Sequence, residues 1–159
     1  MKHAISVLVD NKPGVLARVS GLFSRRGYNI DSLAVGPAEN KDISRMTIIV
    51  HGDNQIVEQI TKQLNKLPDV KKVVDLTNQP RLEREMVIFR VHSNHKTRSE
   101  IMGLVETFRG KVIDVAEASM VIELTGNTDK IQAVEALLAK FGLIEIARTG
   151  KIVLGRGKK

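Results

Sequence analysis

Two short segments carry residue types that could hold a small charged molecule. The first, Val9-Asp10-Asn11-Lys12-Pro13-Gly14-Val15-Leu16, reads as a strand end, a tight loop and the opening of an amphipathic helix. Proline has a fixed φ and no N–H to waste, so Pro13 is expected at the first helical position. Gly14 has no side chain and leaves the amides of the first helical turn open; those amides and the positive end of the helix dipole suit a carboxylate or phosphate. The second segment, Gly27-Tyr28-Asn29-Ile30, follows that helix, and the Asn29 amide both donates and accepts. Together they match a small molecule with an acidic end and an ammonium. Taken alone, Pro-Gly after a strand is an ordinary strand-to-helix turn.

Other chemistry finds no footing. The chain has no cysteine, which excludes a disulfide framework and a thiolate metal site. It carries no Gly-x-Ser-x-Gly, no Walker loop and no paired acid–base cluster. His92-x-x-His95 spans a strand end and a loop without nearby carboxylates and reads as surface histidines, while Arg25 and Arg26 read as solvated charges at a helix end. No residue receives a catalytic assignment.

The positioning elements follow from periodicity. Ile5, Val7 and Val9 alternate as a strand; Val15, Leu16, Val19, Leu22 and Phe23 recur on a helical face closed by Gly27. Ile30 to Gly36 and Met46 to Val50 extend again. Asp53 offers a cap before Ile56, Ile60, Leu64 and Leu67, and Val70 to Leu76 closes the set. Past the polar break at Thr77-Asn78-Gln79-Pro80 the order repeats: a strand over 86–92, a helix led by the capping-box pattern Thr97-Arg98-Ser99-Glu100, two strands, a helix led by Asn127, and a strand over 143–149. The expected class is α+β, with two ferredoxin-like βαββαβ domains, each an antiparallel sheet with both helices on one face. The expected layout is a domain over 1–77, a linker over 78–84, a domain over 85–150 and a basic tail over 151–159.

Net charge is +7 at a pI near 9.8, but Lys151, Arg156, Lys158 and Lys159 supply four of those charges from a segment without acids. The excess therefore reads as a solvated end. An RNA-binding reading needs aromatic rings on the sheet. The first and third strands have none, and Phe23, Phe108 and Phe141 fall on or just after helices, so no nucleic-acid partner is expected. No apolar run approaches the ~20 residues of a membrane span; with strand-like alternation from His3, no signal peptide and a cytoplasmic protein are expected. A one-sided sheet of this size leaves edges and a face that a second copy commonly covers, so self-association through the first domain is expected.

The run Leu8-Val9-Asp10-Asn11-Lys12-Pro13-Gly14-Val15-Leu16-Ala17-Arg18-Val19 resembles the opening of an ACT domain, an amino-acid-sensing module. Its continuation from Gly21 to Leu33, with Ser44-Arg45-Met46-Thr47-Ile48 and Phe108-Arg109-Gly110-Lys111-Val112-Ile113-Asp114-Val115, is similar to the small regulatory subunit family of acetolactate synthase along essentially the whole chain. The resemblance implies a non-catalytic partner of a large subunit that carries thiamine diphosphate, FAD and magnesium, with feedback inhibition by valine. It implies that Asn11 and Gly14 hold the effector's backbone groups, that Pro13 shapes the loop, and that Val15 and Leu16 line the pocket. Asn29 and Ile30 would come from the neighbouring chain of a homodimer. An amino-acid sensor of another metabolic enzyme is the alternative within the same module.

Overall fold

A computed structural model describes residues 1–157. Two compact units divide the described residues: Met1–Leu82 with residues 151–157, and Glu83–Gly150.

In the first unit β1 (Lys2–Asp10), α1 (Val15–Arg25), β2 (Ile30–Pro37), β3 (Ile43–His51), α2 (Asn54–Asn65) and β4 (Val70–Asp75) form the split βαββαβ order. The antiparallel sheet runs β2-β3-β1-β4, with β2 and β4 at its edges. The two sequence periods meet in one core: Ile5, Val7 and Val9 of β1 and Met46, Ile48 and Val50 of β3 pack against Val15, Val19, Leu22 and Phe23 of α1 and Val57, Ile60 and Leu64 of α2. Each of these fully buried side chains contributes about 1.5–3 kcal/mol. Asp53 caps α2 by accepting from the Ile56 N–H at 2.8 Å.

The second unit repeats the order with β5 (Arg81–His92), α3 (Arg98–Thr107), β6 (Lys111–Val115), β7 (Ser119–Gly126), α4 (Thr128–Ala139) and β8 (Leu143–Arg148), its sheet running β6-β7-β5-β8. Val87, Phe89, Val91, Met120, Ile122 and Leu124 meet the apolar faces of both helices.

Four expectations are corrected. Pro13 is not the first helical residue. Gly14 is the N-cap in the left-handed region at φ 85°, and α1 begins at Val15, because a left-handed residue cannot continue a right-handed helix. The Thr97–Glu100 capping box does not form: Thr97 Oγ1 accepts from the Asn94 N–H (3.0 Å) and caps no amide of α3, while Asn94 Oδ1 accepts from the N–H groups of Lys96 (2.9 Å) and Thr97 (3.1 Å) in an Asx-type turn before the helix. The 78–84 segment is not all linker, since β5 starts at Arg81. Finally, residues 151–159 are not simply a solvated tail. Ile152–Gly155 form a strand, β9, belonging to the first unit. Val153 is 2% exposed and packs with Ala4, Ile49 and Leu76 on the helix-free side of the sheet, the Lys151 N–H donates to Ser32 Oγ (2.9 Å), and the Arg156 N–H donates to the Pro80 carbonyl (2.8 Å). Burial of Val153 holds the segment down although Ile152 and Leu154 stay exposed; Lys158 and Lys159 lie outside the described residues.

Candidate effector site

The loop from Asp10 to Gly14 is held at both ends. The Asp10 N–H donates to the Asp69 carbonyl (2.9 Å), the Asn11 N–H to the Asp42 carbonyl (2.8 Å), and the Lys12 N–H to the Asp10 carbonyl (3.0 Å). Asn11 Nδ2 donates to the Lys41 carbonyl at 3.0 Å, which fixes the amide and leaves Oδ1 as an acceptor for an ammonium. The Asp10 carboxylate, largely buried, pairs with Lys12 (3.7 Å) and Lys71 (3.3 Å).

Gly14 then delivers the chain into α1. No side chain caps this helix and its first turn carries no acidic residue, so the N–H groups of Leu16 and Ala17 keep the polarity that favours an anion. The mouth is flanked by a cation, which sequence spacing did not reveal: a Cβ at Gly14 would sit 3.1 Å from Arg18 Nη1, and Arg18 Nε donates to Asp69 Oδ2 at 2.7 Å. Arg18 is half exposed and its charge already paired, so it stands beside the amides while its pair with Asp69 ties α1 to the chain entering β4.

The remaining residues divide by position. Val15 packs its side chain into the core and can offer a ligand only its backbone, whereas Leu16 is 44% exposed beside Gly14. Asn29 and Ile30 stand elsewhere. Ile30 pairs with Val50, which pairs with His3 near the start of β1, whereas Asn11 follows Asp10, which pairs with Ile43 at the other end of the sheet. Eight residues of β2 separate the two ends by roughly 25 Å. Asn29, exposed, donates from Nδ2 to Asp31 Oδ1 at 3.4 Å. Within one chain, then, Asn11 to Leu16 form one cluster and Asn29 with Ile30 another.

Comparison with known proteins decides the family. Residues 5–72 match the model described as AHAS small subunit-like ACT domain, and residues 84–157 match the model described as small subunit of acetolactate synthase. The chain belongs to the acetolactate synthase small-subunit family. It is 52% identical over 159 residues to a probable acetolactate synthase small subunit of Archaeoglobus fulgidus, covering 100% of this chain and 99% of that one. It is 49% identical over 157 residues to the acetolactate synthase small subunit of Mycobacterium bovis, covering 99% and 94%. The crystal structure of the small subunit from Thermotoga maritima superposes with a TM-score of 0.91 at 43% identity, covering 100% and 99%. The two domains are therefore those of a regulatory subunit in branched-chain amino acid biosynthesis, and neither is a catalytic fold. Among the described residues no group of three or more histidine, aspartate or glutamate side chains gathers as a metal site, and no helix is long and apolar enough to cross a membrane.

Proposed function

We propose that this subunit activates a large catalytic subunit in the cytoplasm and makes it sensitive to valine, bound at two composite sites of a homodimer. The observation that carries the reading is the separation just described. Asn11, Pro13, Gly14, Val15 and Leu16 lie at one end of the sheet, Asn29 and Ile30 at the other, and β2 between them is an edge strand of the sheet among the described residues. If two copies pair their β2 edges antiparallel about a twofold axis, the start of β2 in one copy meets the end of β2 in the other. That end is also where the Gly14 loop lies, so each of two sites would draw on both chains.

In such a site the carboxylate of the effector lies against the first-turn amides of α1, the ammonium against asparagine carbonyl oxygens, and the branched side chain against Leu16 and Ile30. Burying a valine side chain contributes roughly 1.5–3 kcal/mol, and each charge-assisted hydrogen bond about the same before ordering costs. A micromolar to millimolar affinity, about −4 to −8 kcal/mol, follows. Inhibition needs only that valine favour one arrangement of the sheet pair over another by about 1–3 kcal/mol. The catalytic cofactors, thiamine diphosphate, FAD and magnesium, belong to the large subunit in this reading.

Calorimetric titration of the dimer with valine, leucine, isoleucine and threonine tests it. Saturable binding of valine at one molecule per chain is expected. A monomer indifferent to all four amino acids would refute the composite site, and hydrogen exchange along β2 unchanged by saturating valine would refute the coupling.

A further inference from the structure

The helix-free face of the first sheet carries a second constellation. Leu8 of β1 pairs with Arg45 of β3 on one side and with Lys72 of β4 on the other; in the next row Ser6 pairs with Thr47 and Val74. Cross-strand partners share a face, and with strands about 4.8 Å apart the α-carbons of Arg45 and Lys72 stand about 10 Å apart. Arg45 Nη1 donates to Ser6 Oγ at 2.9 Å, and Ser6, only 3% exposed, lies at the floor of the row. A groove of about 560 Å³ opens over these residues, walled by Leu76 and Pro80 and, from the segment ending β9, by Leu154 and Arg156.

Its charge is one-sided. Arg45, Lys72 and Arg156 line the groove, with Glu39 the one carboxylate among the described lining residues. Among the described residues the side chains of Lys72 and Arg156 have no ion-pair partner, and Arg45 holds only the serine. Donors thus outnumber acceptors, in a partly enclosed space where charge is less screened than in open water. Leu8, Val74 and Leu154 supply apolar contact beside the cations. The volume lies within the usual small-molecule range of roughly 300–1,000 Å³.

We propose that this groove is a second ligand site of the regulatory subunit, for a small organic anion with an acidic head and an apolar body. The planar fork of Arg45 would take two oxygens of a carboxylate or phosphate. Lys72 and Arg156 would close on the head, and the body would lie on Leu8, Val74 and Leu154. Because Arg156 follows β9, a ligand here would also hold the C-terminal strand against the sheet. The site is independent of the valine reading, since it lies on the face of the sheet opposite α1.

The test is an amide-resolved NMR titration of the full chain at low ionic strength with phenyl phosphate, inorganic phosphate and valine. Saturable shifts at Ser6, Leu8, Lys72 and Val74 are expected with phenyl phosphate, tighter than with inorganic phosphate, while Leu16 and Ala17 stay unmoved. Lys72→Gln and Arg156→Gln, both at exposed positions, should each weaken binding about tenfold. Arg45→Gln should weaken it further; if it unfolds the sheet, the two exposed variants still decide. Shifts that never saturate and spread over unrelated lysines, or affinity unchanged in both variants, would overturn the proposal. So would phenyl phosphate failing to bind while the two variants lose activation of the large subunit, which would give the groove to a protein partner.

Discussion

The two units share strand order, helix placement and core pattern, yet enter their first helices by different means. In the first, Gly14 takes a left-handed φ of 85° and leaves the helix mouth without a side-chain cap. In the second, Asn94 accepts from Lys96 and Thr97, its own N–H donates to Thr97 Oγ1 (3.0 Å), and Arg98 reaches the Ala116 carbonyl (3.1 Å). One loop is open and keyed to a glycine; the other is closed upon itself by side chains. A duplicated fold therefore need not duplicate its loop chemistry, and it is in these loops that the two units part.

The strongest way to break the comparison is to fill the open loop. Gly14→Asp puts a carboxylate where the effector's own should lie, and like-charge repulsion of about 3 kcal/mol should weaken valine roughly a hundredfold. The left-handed φ adds about 1–2 kcal/mol of strain, and the new Cβ, 3.1 Å from Arg18 Nη1, requires that side chain to shift. Valine inhibition of the reconstituted enzyme should vanish while activation persists; loss of both would make the loop a structural element. Val153→Ala removes two buried methyl groups beneath β9 and should cost about 2 kcal/mol. Denaturant unfolding should register that loss, and hydrogen exchange should accelerate over 151–157 while β7 is unaffected. Asn94→Ala opens the closed loop and should cost the second unit about 1 kcal/mol. Valine affinity should not change, which calorimetry on the variant would verify.

Local periodicity carried most of the fold. Of Val15, Leu16, Val19, Leu22 and Phe23, placed on one helical face by spacing alone, all but Leu16 are in the core, and Leu16 stands exposed beside Gly14. The departures have local or long-range competitors. A positive φ at Gly14 delayed the helix by two positions relative to the Pro13 reading. Asn94 engages the Thr97 hydroxyl through its own N–H, so Thr97 caps no amide of α3. β9 was hidden because Val153 is buried by Ala4, Ile49 and Leu76, partners remote in the chain, while its basic flanks suggested solvent. At the candidate site, Asn11, Gly14 and Leu16 are contiguous and visible in the sequence. The clamp of Asp10 by Lys71 and of Arg18 by Asp69 requires the β1–β4 pairing and leaves no local trace.

The most direct measurement mixes two defective proteins. Gly14→Asp and Asn29→Ala chains, each expected to bind valine far more weakly alone, are unfolded together, refolded and titrated. A mixed dimer with sites built from both chains contains one site bearing both substitutions and one bearing neither. The account predicts that valine binding returns with wild-type affinity, at one site per mixed dimer. If the mixture binds as weakly as its parents while forming mixed dimers, the site lies within a single chain and the account is wrong.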